Sequence, residues 1–130
     1  MMGKRILVVD DEAMIRKFLK INLTKWGFEV KEAVDGAQAM KELDNDHFDL
    51  LICDIMMPNM DGWQVLREVK SNPKTKDVFV IFLTAKNEEA DMAKADHLGV
   101  DHYITKPFTK SQLLQVLRSI SWEIRDEKRT

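Results

Sequence analysis

Residues 5–11 read RILVVDD, an aliphatic run that ends in two aspartates. The run has no polar alternation, which is typical of a strand covered on both faces. Two other apolar runs also end in polar groups: residues 50–53 are followed by Asp54, and residues 103–105 by Lys106. Because the carboxyl ends of parallel strands meet at one edge of a sheet, these groups are expected to lie together. The three runs therefore predict a functional site at that edge.

Strand-length apolar runs alternate with segments of helical period along the chain. The predicted strands are residues 5–9, 28–33, 48–53, 78–83 and 102–105. The predicted helices are residues 12–26, 37–43, 63–70 and 88–98, and a last helix that Thr109 can cap and that keeps its apolar stripe to Ile124. Such alternation requires a parallel sheet with right-handed crossovers and helices on both faces.

The predicted fold is α/β, a doubly wound, flavodoxin-like parallel sheet with five strands and five helices. Periodicity alone does not give the strand order. An order of 2-1-3-4-5 would bring the ends of the first and third strands together at the switch point. That layout would gather Asp10, Asp11 and Asp54, so it is the order we expect.

Length and composition limit the classes of protein. The chain of 130 residues fits a single domain, with a core at about residues 4–118 and a C-terminal helix extended to about residue 129. A net charge of −2 offers no basic surface for direct nucleic-acid binding, and no apolar run reaches the ~20 residues of a membrane span. The lone Cys53, expected to be buried, and the absence of a secretory signal favour a reducing cytoplasm.

Three clustered carboxylates are unfavourable unless a cation neutralises them. A ligand set made only of oxygens points to Mg²⁺, which retains several waters and leaves positions for a phosphate oxygen. The alternative for each residue is ordinary turn chemistry, in which Asp10 and Asp11 cap the first helix and Asp54 opens a loop. That alternative weakens for all three together, because Glu12 adds more negative charge than a cap requires.

Two other residues are candidates for the same edge. Lys106 supplies the opposite charge and is held extended by the following proline, although a lysine before proline is commonly a solvated loop residue. Thr84 ends the most apolar strand, so its hydroxyl is placed to donate to a phosphoryl oxygen, unless it is ordinary strand composition.

These residues closely resemble the receiver domain of two-component response regulators, of the chemotaxis-regulator type. The resemblance spans about residues 4–118 and rests on four motifs in the family's order: Val9-Asp10-Asp11-Glu12, Asp54 with Met57-Pro58-Asn59-Met60-Asp61-Gly62, Thr84-Ala85, and Tyr103-Ile104-Thr105-Lys106-Pro107-Phe108.

The resemblance implies a role for each matching residue. Asp54 would accept a phosphoryl group from a phosphohistidine, with Lys106 and Thr84 contacting the phosphoryl oxygens. Mg²⁺ would be held by Asp11 and Asp54 directly, by Asp10 mainly through water, and by the backbone carbonyl of Met56. The chain would then be a phosphoacceptor rather than an enzyme, limited to self-phosphotransfer and autodephosphorylation.

The resemblance also implies a switch and its partners. Thr84 would move toward the phosphoryl group and Tyr103 would occupy the vacated space, which shifts the surface formed by the fourth helix, fifth strand and fifth helix. The expected partners are a sensor histidine kinase or phosphotransfer protein and a downstream protein target. The chain is expected to be a monomer or a phosphorylation-dependent dimer, and Trp122 is a candidate contact.

Two other functions remain open. A magnesium-dependent phosphohydrolase with an aspartyl nucleophile usually needs an acid or base two residues after that nucleophile, where Met56 cannot transfer a proton. A flavin- or nucleotide-binding domain needs a glycine-rich turn after the first strand, where this chain has Asp-Asp-Glu. The chain is either a stand-alone regulator or a receiver taken from a longer protein.

Overall fold

The computed structural model describes residues 4–85 and 99–120. Its strands are β1 (Arg5–Val9), β2 (Glu29–Ala33), β3 (Leu50–Asp54), β4 (Phe79–Ala85) and β5 (His102–Lys106). Its helices are α1 (Ala13–Lys25), α2 (Gly36–Asn45), α3 (Gly62–Ser71) and α4 (Lys110–Ser119). All five predicted strands and four of the predicted helices are therefore confirmed. The helix predicted at residues 88–98, the extension beyond residue 120 and Trp122 lie outside the described residues.

The five strands form one parallel sheet in the order β2-β1-β3-β4-β5. This is the doubly wound order expected from the sequence, with the switch point between β1 and β3. The sheet is the element that positions the candidate site, because β1, β3, β4 and β5 all point their carboxyl ends the same way.

Each face of the sheet is covered by its own hydrophobic core. Alternation along β1 sends Leu7 and Val9 to one face, where they cluster with buried residues of α2 and α3. Ile6 and Val8 point to the other face and cluster with buried residues of α1 and α4. Burial of one such side chain contributes roughly 1.5–3 kcal/mol, so the two cores fix the strands firmly.

Side-chain caps define where three of the four described helices begin. The Asp35 carboxylate accepts from the backbone N–H of Gln38 at the start of α2. Reciprocal capping boxes join Asp61 to Gln64 at α3 and Thr109 to Gln112 at α4, which confirms Thr109 as the predicted cap. Helix α1 ends at Lys25, and Gly27, which follows shortly after this end, has a φ of 100° that suits glycine.

No helix in the described ranges 4–85 and 99–120 combines the length and the apolar character needed to cross a membrane.

Candidate functional site

The sheet register brings the predicted site residues to one edge. Val9 pairs with Cys53, so Asp10 and Asp54, the next residue of each chain segment, lie level with each other. Asp54 in turn pairs with Leu83, and Thr84 follows one step further along β4. The register therefore places residues from three strands on the same carboxyl edge.

The three predicted carboxylates form a compact cluster. One oxygen from each of Asp10, Asp11 and Asp54 lies within 4.8 Å of the other two. Asp10 is fully buried, whereas Asp11 is exposed, so the cluster opens toward solvent on the Asp11 side. Burial fixes the Asp10 carboxylate, whose Oδ1 accepts from the Glu12 backbone N–H at 2.9 Å.

Asp54 is held at the end of β3 with little exposure, and its environment changes its acidity. Burial raises the pKa of Asp54 to about 6, the Asp10 charge adds to the increase, and the Lys106 ammonium opposes it. The Asp54 Oδ1 accepts from the Met56 backbone N–H at 3.3 Å. Burial and the neighbouring Asp10 charge therefore outweigh the lysine, and the ionised form of Asp54 is disfavoured.

Lys106, the last residue of β5, joins the acidic groups from the opposite side. Its Nζ lies 2.9 Å from Asp10 Oδ2 and 3.4 Å from Asp54 Oδ2, with Glu12 Oε1 further away at 3.6 Å. Burial alone lowers the pKa of the lysine, but these three carboxylates outweigh burial and raise the pKa above its ordinary value. Lys106 is therefore a charged group that bridges Asp10 and Asp54.

The remaining predicted site residues differ in position and exposure. Thr84 and Met56 lie at the same edge, whereas Tyr103, which pairs with Phe82, lies two residues before the Thr84–Thr105 pair. Thr84 is buried, and its Oγ1 donates to the Ala85 carbonyl at 3.1 Å. The Met56 side chain is exposed, and the Met56 backbone contacts the cluster through its N–H, which donates to Asp54 Oδ1. Tyr103, in β5, exposes 42% of its surface. The Lys106–Pro107 peptide bond is cis, which a bond before proline allows at modest cost.

The cluster fits a hard divalent cation. Its donors are carboxylate oxygens from three residues, and none of the three is a His or Cys that would favour a softer metal. Two of the carboxylates are buried, so their mutual repulsion is weakly screened by water. A magnesium ion held by one or two of them would keep open positions for phosphate oxygens.

The local structure around Asp10 differs from the simple capping alternative. The residue at the cap of α1 is Glu12, and its side chain makes no capping hydrogen bond. Asp10 instead accepts from Glu12 N–H, while the Arg16 guanidinium donates to the Asp10 carbonyl at 2.6 Å. Sequence patterns predict no role for Arg16, and the available signal is a basic residue one helical turn into α1.

Cys53 precedes Asp54 and faces the core. It is fully buried and its Sγ lies 3.3 Å from the Asp54 carbonyl, as expected for a small buried hydrophobe. Burial raises the pKa of the thiol well above its ordinary value. The thiol is therefore neutral at physiological pH and does not add a ligand to the site.

Most of this chain matches a family model and proteins of known sequence. The family model described as the response regulator receiver domain matches residues 6–118. Protein PilG of Pseudomonas aeruginosa is 37% identical over 117 residues, which are 90% of this chain and 87% of that protein. The phosphate regulon transcriptional regulatory protein PhoB of Escherichia coli is 38% identical over 92% of this chain and 52% of its own length. The chain thus spans about half the length of PhoB and of ycf27 from Cyanophora paradoxa.

Solved structures give the same result. Chemotaxis response regulator CheY4 of Vibrio cholerae superposes with a TM-score of 0.86 at 28% identity, covering 92% of this chain and 99% of that one. The receiver domain of sensor histidine kinase PA1611 from Pseudomonas aeruginosa, solved with a magnesium ion in its active site cleft, has a TM-score of 0.81 at 27% identity and covers 90% and 96%.

Proposed function

Because the chain belongs to the response regulator receiver domain family, we propose that it is a signalling switch phosphorylated on Asp54. The observation that carries this proposal is the contact of the Lys106 ammonium with both Asp10 and Asp54, beside a cluster of three carboxylates. Phosphoryl transfer depends on positioning and charge neutralisation, and this edge offers both.

The proposed reaction transfers a phosphoryl group from a phosphohistidine to Asp54. A carboxylate oxygen of Asp54 forms the new bond to phosphorus as the bond between phosphorus and the histidine nitrogen breaks. The departing ring takes one proton from water and leaves as neutral imidazole. Bound Mg²⁺, held by Asp11, Asp54 and the Met56 carbonyl with Asp10 acting through water, would neutralise charge on the phosphoryl oxygens. Lys106 balances the rest of that charge.

Thr84 and Tyr103 form the proposed switch. The Thr84 hydroxyl must leave the Ala85 carbonyl before it can donate to a phosphoryl oxygen on Asp54. Tyr103 lies on the neighbouring strand with its ring partly in solvent. In this proposal the ring moves inward when Thr84 shifts. The new phosphoryl charge would thereby change the surface around β5 and α4.

The proposed partners are a sensor histidine kinase or phosphotransfer protein that supplies the phosphoryl group and a protein target that reads the switch. We place this exchange in the cytoplasm, with no direct contact to nucleic acid or membrane. Transcriptional regulators occur among the relatives. We propose that the receiver is a monomer or a phosphorylation-dependent dimer. Any longer protein that contains this receiver would have its output controlled by the switch.

The first prediction tests Asp54 directly. Wild-type protein should be labelled by ³²P-acetyl phosphate in the presence of Mg²⁺, and a chelator added before the phosphodonor should prevent labelling. Asp54→Asn should abolish labelling, because an amide oxygen is too weak a nucleophile to form the acyl phosphate. The readout is acid-stable, base-labile radioactivity on the intact protein.

Asp77→Asn is the matched control, since Asp77 is an exposed carboxylate in the turn that precedes β4, at the opposite edge of the sheet. It should be labelled like wild type. Persistent labelling of Asp54→Asn would contradict the proposal. Multiple turnover of an external phosphomonoester would instead favour the phosphohydrolase, although the residue two positions after Asp54 is Met56.

A further inference from the structure

The β3–α3 loop, residues 55–61, contains a turn with unusual backbone geometry. Asn59 has a φ of 69°, a value that non-glycine residues rarely adopt. The Met60 N–H donates to the Pro58 carbonyl at 2.8 Å, which closes a three-residue turn around Asn59. Such a conformation persists only where the surrounding structure holds it.

One anchor is at the C-terminal end of the loop. The Gly62 N–H donates to the Ile55 carbonyl at 2.8 Å. A Cβ at Gly62 would lie 2.8 Å from both the Asp54 carbonyl oxygen and the Ile55 Cα, closer than real Cβ atoms approach. The loop therefore folds back tightly on the end of β3, but this contact does not reach Asn59.

The second anchor comes from helix α2. A Cβ at Gly36 would overlap the Met60 carbonyl oxygen and would lie 2.8 and 2.9 Å from Met60 Cβ and Cγ. Beside this contact the Asn59 Nδ2 donates to Asp35 Oδ2 at 3.4 Å, a long and exposed hydrogen bond. Close packing of Gly36 is thus the stronger of the two contacts that α2 makes with the turn.

Backbone conformation does not explain a glycine at this position. Gly36 is the first residue of α2, and its φ is outside the left-handed region that Gly27 and Gly99 occupy. Alanine would have a higher helix propensity there. The observed close approach to Met60 is therefore the physical reason that a side chain is excluded at Gly36.

We infer that Gly36 is a positioning residue for the metal site: its bare backbone lets α2 support the Asn59 turn and so fixes the loop that carries the Met56 carbonyl. This inference rests on the proposed function, in which that carbonyl helps to hold Mg²⁺. A Cβ at Gly36 displaces Met60 and loosens the loop, while Asp10, Asp11 and Lys106 stay on their own elements.

The test measures Mg²⁺ binding and phosphorylation in Gly36→Ala. Calorimetric titration with MgCl₂ alone should show a Kd about tenfold weaker than wild type, as for residues that orient metal ligands. Labelling of Asp54 by acetyl phosphate should fall at low Mg²⁺ and return to within about twofold of wild type at saturating Mg²⁺, because the carboxylate and the lysine are unchanged.

Ala37→Gly is the matched control, since it weakens the same helical turn at an exposed position. It should lower the urea midpoint and leave the Mg²⁺ Kd unchanged. If wild type binds Mg²⁺ and Gly36→Ala binds it equally tightly, this inference is wrong and the proposed function stands. If wild type binds no Mg²⁺, both the inference on Gly36 and the proposed function are wrong.

Should Gly36→Ala not fold, Met60→Gly tests the same contact from the loop side, because it removes the side chain that packs on α2. A folded Met60→Gly protein should bind Mg²⁺ more weakly than wild type. Unchanged affinity in that variant would overturn the inference.

Discussion

The Asp54 carboxyl group is placed where its charge is unfavourable. It is buried at the end of β3 beside the buried Asp10, and one lysine serves both carboxylates. The pKa of about 6 in the fold compares with 3.8 for an unperturbed aspartate. Carboxyl groups with a raised pKa are common at functional sites, because the burial and negative neighbours that raise the pKa also favour binding of a cation.

This displaced pKa predicts a pH-dependent stability in metal-free buffer. Between pH 3.8 and about 6 the folded Asp54 binds more protons than the unfolded chain, so the charged carboxylate destabilises the fold at higher pH. Asp54→Asn should therefore raise the urea midpoint at pH 7.5. The gain should shrink at pH 4.5, where the wild-type carboxyl is protonated. Unfolding curves with a chelator at both pH values measure it.

The control for this prediction is again Asp77→Asn, whose exposed carboxylate is in contact with water. Its unfolding free energy should stay within about 0.5 kcal/mol of wild type at both pH values. A gain for Asp54→Asn of the same size at pH 7.5 and pH 4.5 would show that Asp54 ionisation has no part in it.

At the residue scale the sequence predicts the site residues that follow strands. Asp10, Asp54 and Lys106 are predicted because each directly follows an apolar run, and the end of such a run indicates the end of a strand. The contacts of Arg16 with the Asp10 carbonyl and of Gly36 with Met60 were not found. Both depend on how a helix packs beside a loop, which no local pattern records.

At the scale of elements, the helix ends are set by individual side chains. The α4 capping box joins Thr109 and Gln112 by two hydrogen bonds, 3.1 Å from the Gln112 N–H to the threonine hydroxyl and 2.8 Å from the Thr109 N–H to the glutamine. Leu113 and Leu117 then enter the core on the face shared with α1. The cap thus fixes α4 directly after the segment that contains Lys106.

The cap predicts a measurable loss of stability. Thr109→Ala should lower the unfolding free energy by about 1 kcal/mol, because the Gln112 N–H loses its acceptor. Urea unfolding followed by circular dichroism gives the value. Ser111→Ala, at an exposed position in the same turn, should leave it nearly unchanged. An equal loss in Ser111→Ala would contradict the prediction, because it would show that the loss is not specific to the capping residue.

Element types were predictable because strands and helices have different periods, whereas their bounds shifted by a few residues. The predicted fourth strand, residues 78–83, stops short of Thr84 and Ala85, which pair with Thr105 and Lys106 inside the sheet. Pairing with a neighbouring strand extends an element beyond its apolar run. Such extension depends on the partner strand and is invisible in one segment alone.

At the scale of the whole molecule, Lys106 connects distant parts of the sheet. It ends the edge strand β5, while its partners follow β1 and end β3, on the far side of β4. The lysine side chain is 17% exposed. One long side chain therefore crosses a strand and compensates the charge of two buried carboxylates.

Removing the Lys106 ammonium should lower the stability of the fold and raise its affinity for Mg²⁺. In chelator, Lys106→Met should lose about 3 kcal/mol of unfolding free energy, because two buried carboxylates lose their partner. Its Mg²⁺ affinity at pH 7.5 should rise, since a competing positive charge is gone, and Mg²⁺ should recover much of the stability. Urea unfolding with and without Mg²⁺ measures both effects.

Lys17→Met, which removes an exposed lysine of α1, serves as the comparison. It should change neither the unfolding free energy nor the Mg²⁺ affinity appreciably. Weaker Mg²⁺ binding by folded Lys106→Met at pH 7.5 would show that the lysine organises the carboxylates more than it competes with the cation.

Strand order was the part of the architecture least accessible to the sequence. Hydrophobic periods identify strands but carry no record of which strands are neighbours. The order was inferred from the need to bring Asp10 and Asp54 together, and the observed pairing of β1 with β3 agrees with it. Chemistry at the strand ends therefore supplied topological information that periodicity lacks.

The buried thiol of Cys53 has a practical consequence for measuring this protein in solution. It is the chain's single cysteine, and burial keeps it protonated and out of reach of reagents. Maleimide dyes should therefore leave the native chain unmodified. A cysteine introduced at an exposed position such as Ala37 could carry one fluorophore, without any need to replace the native residue.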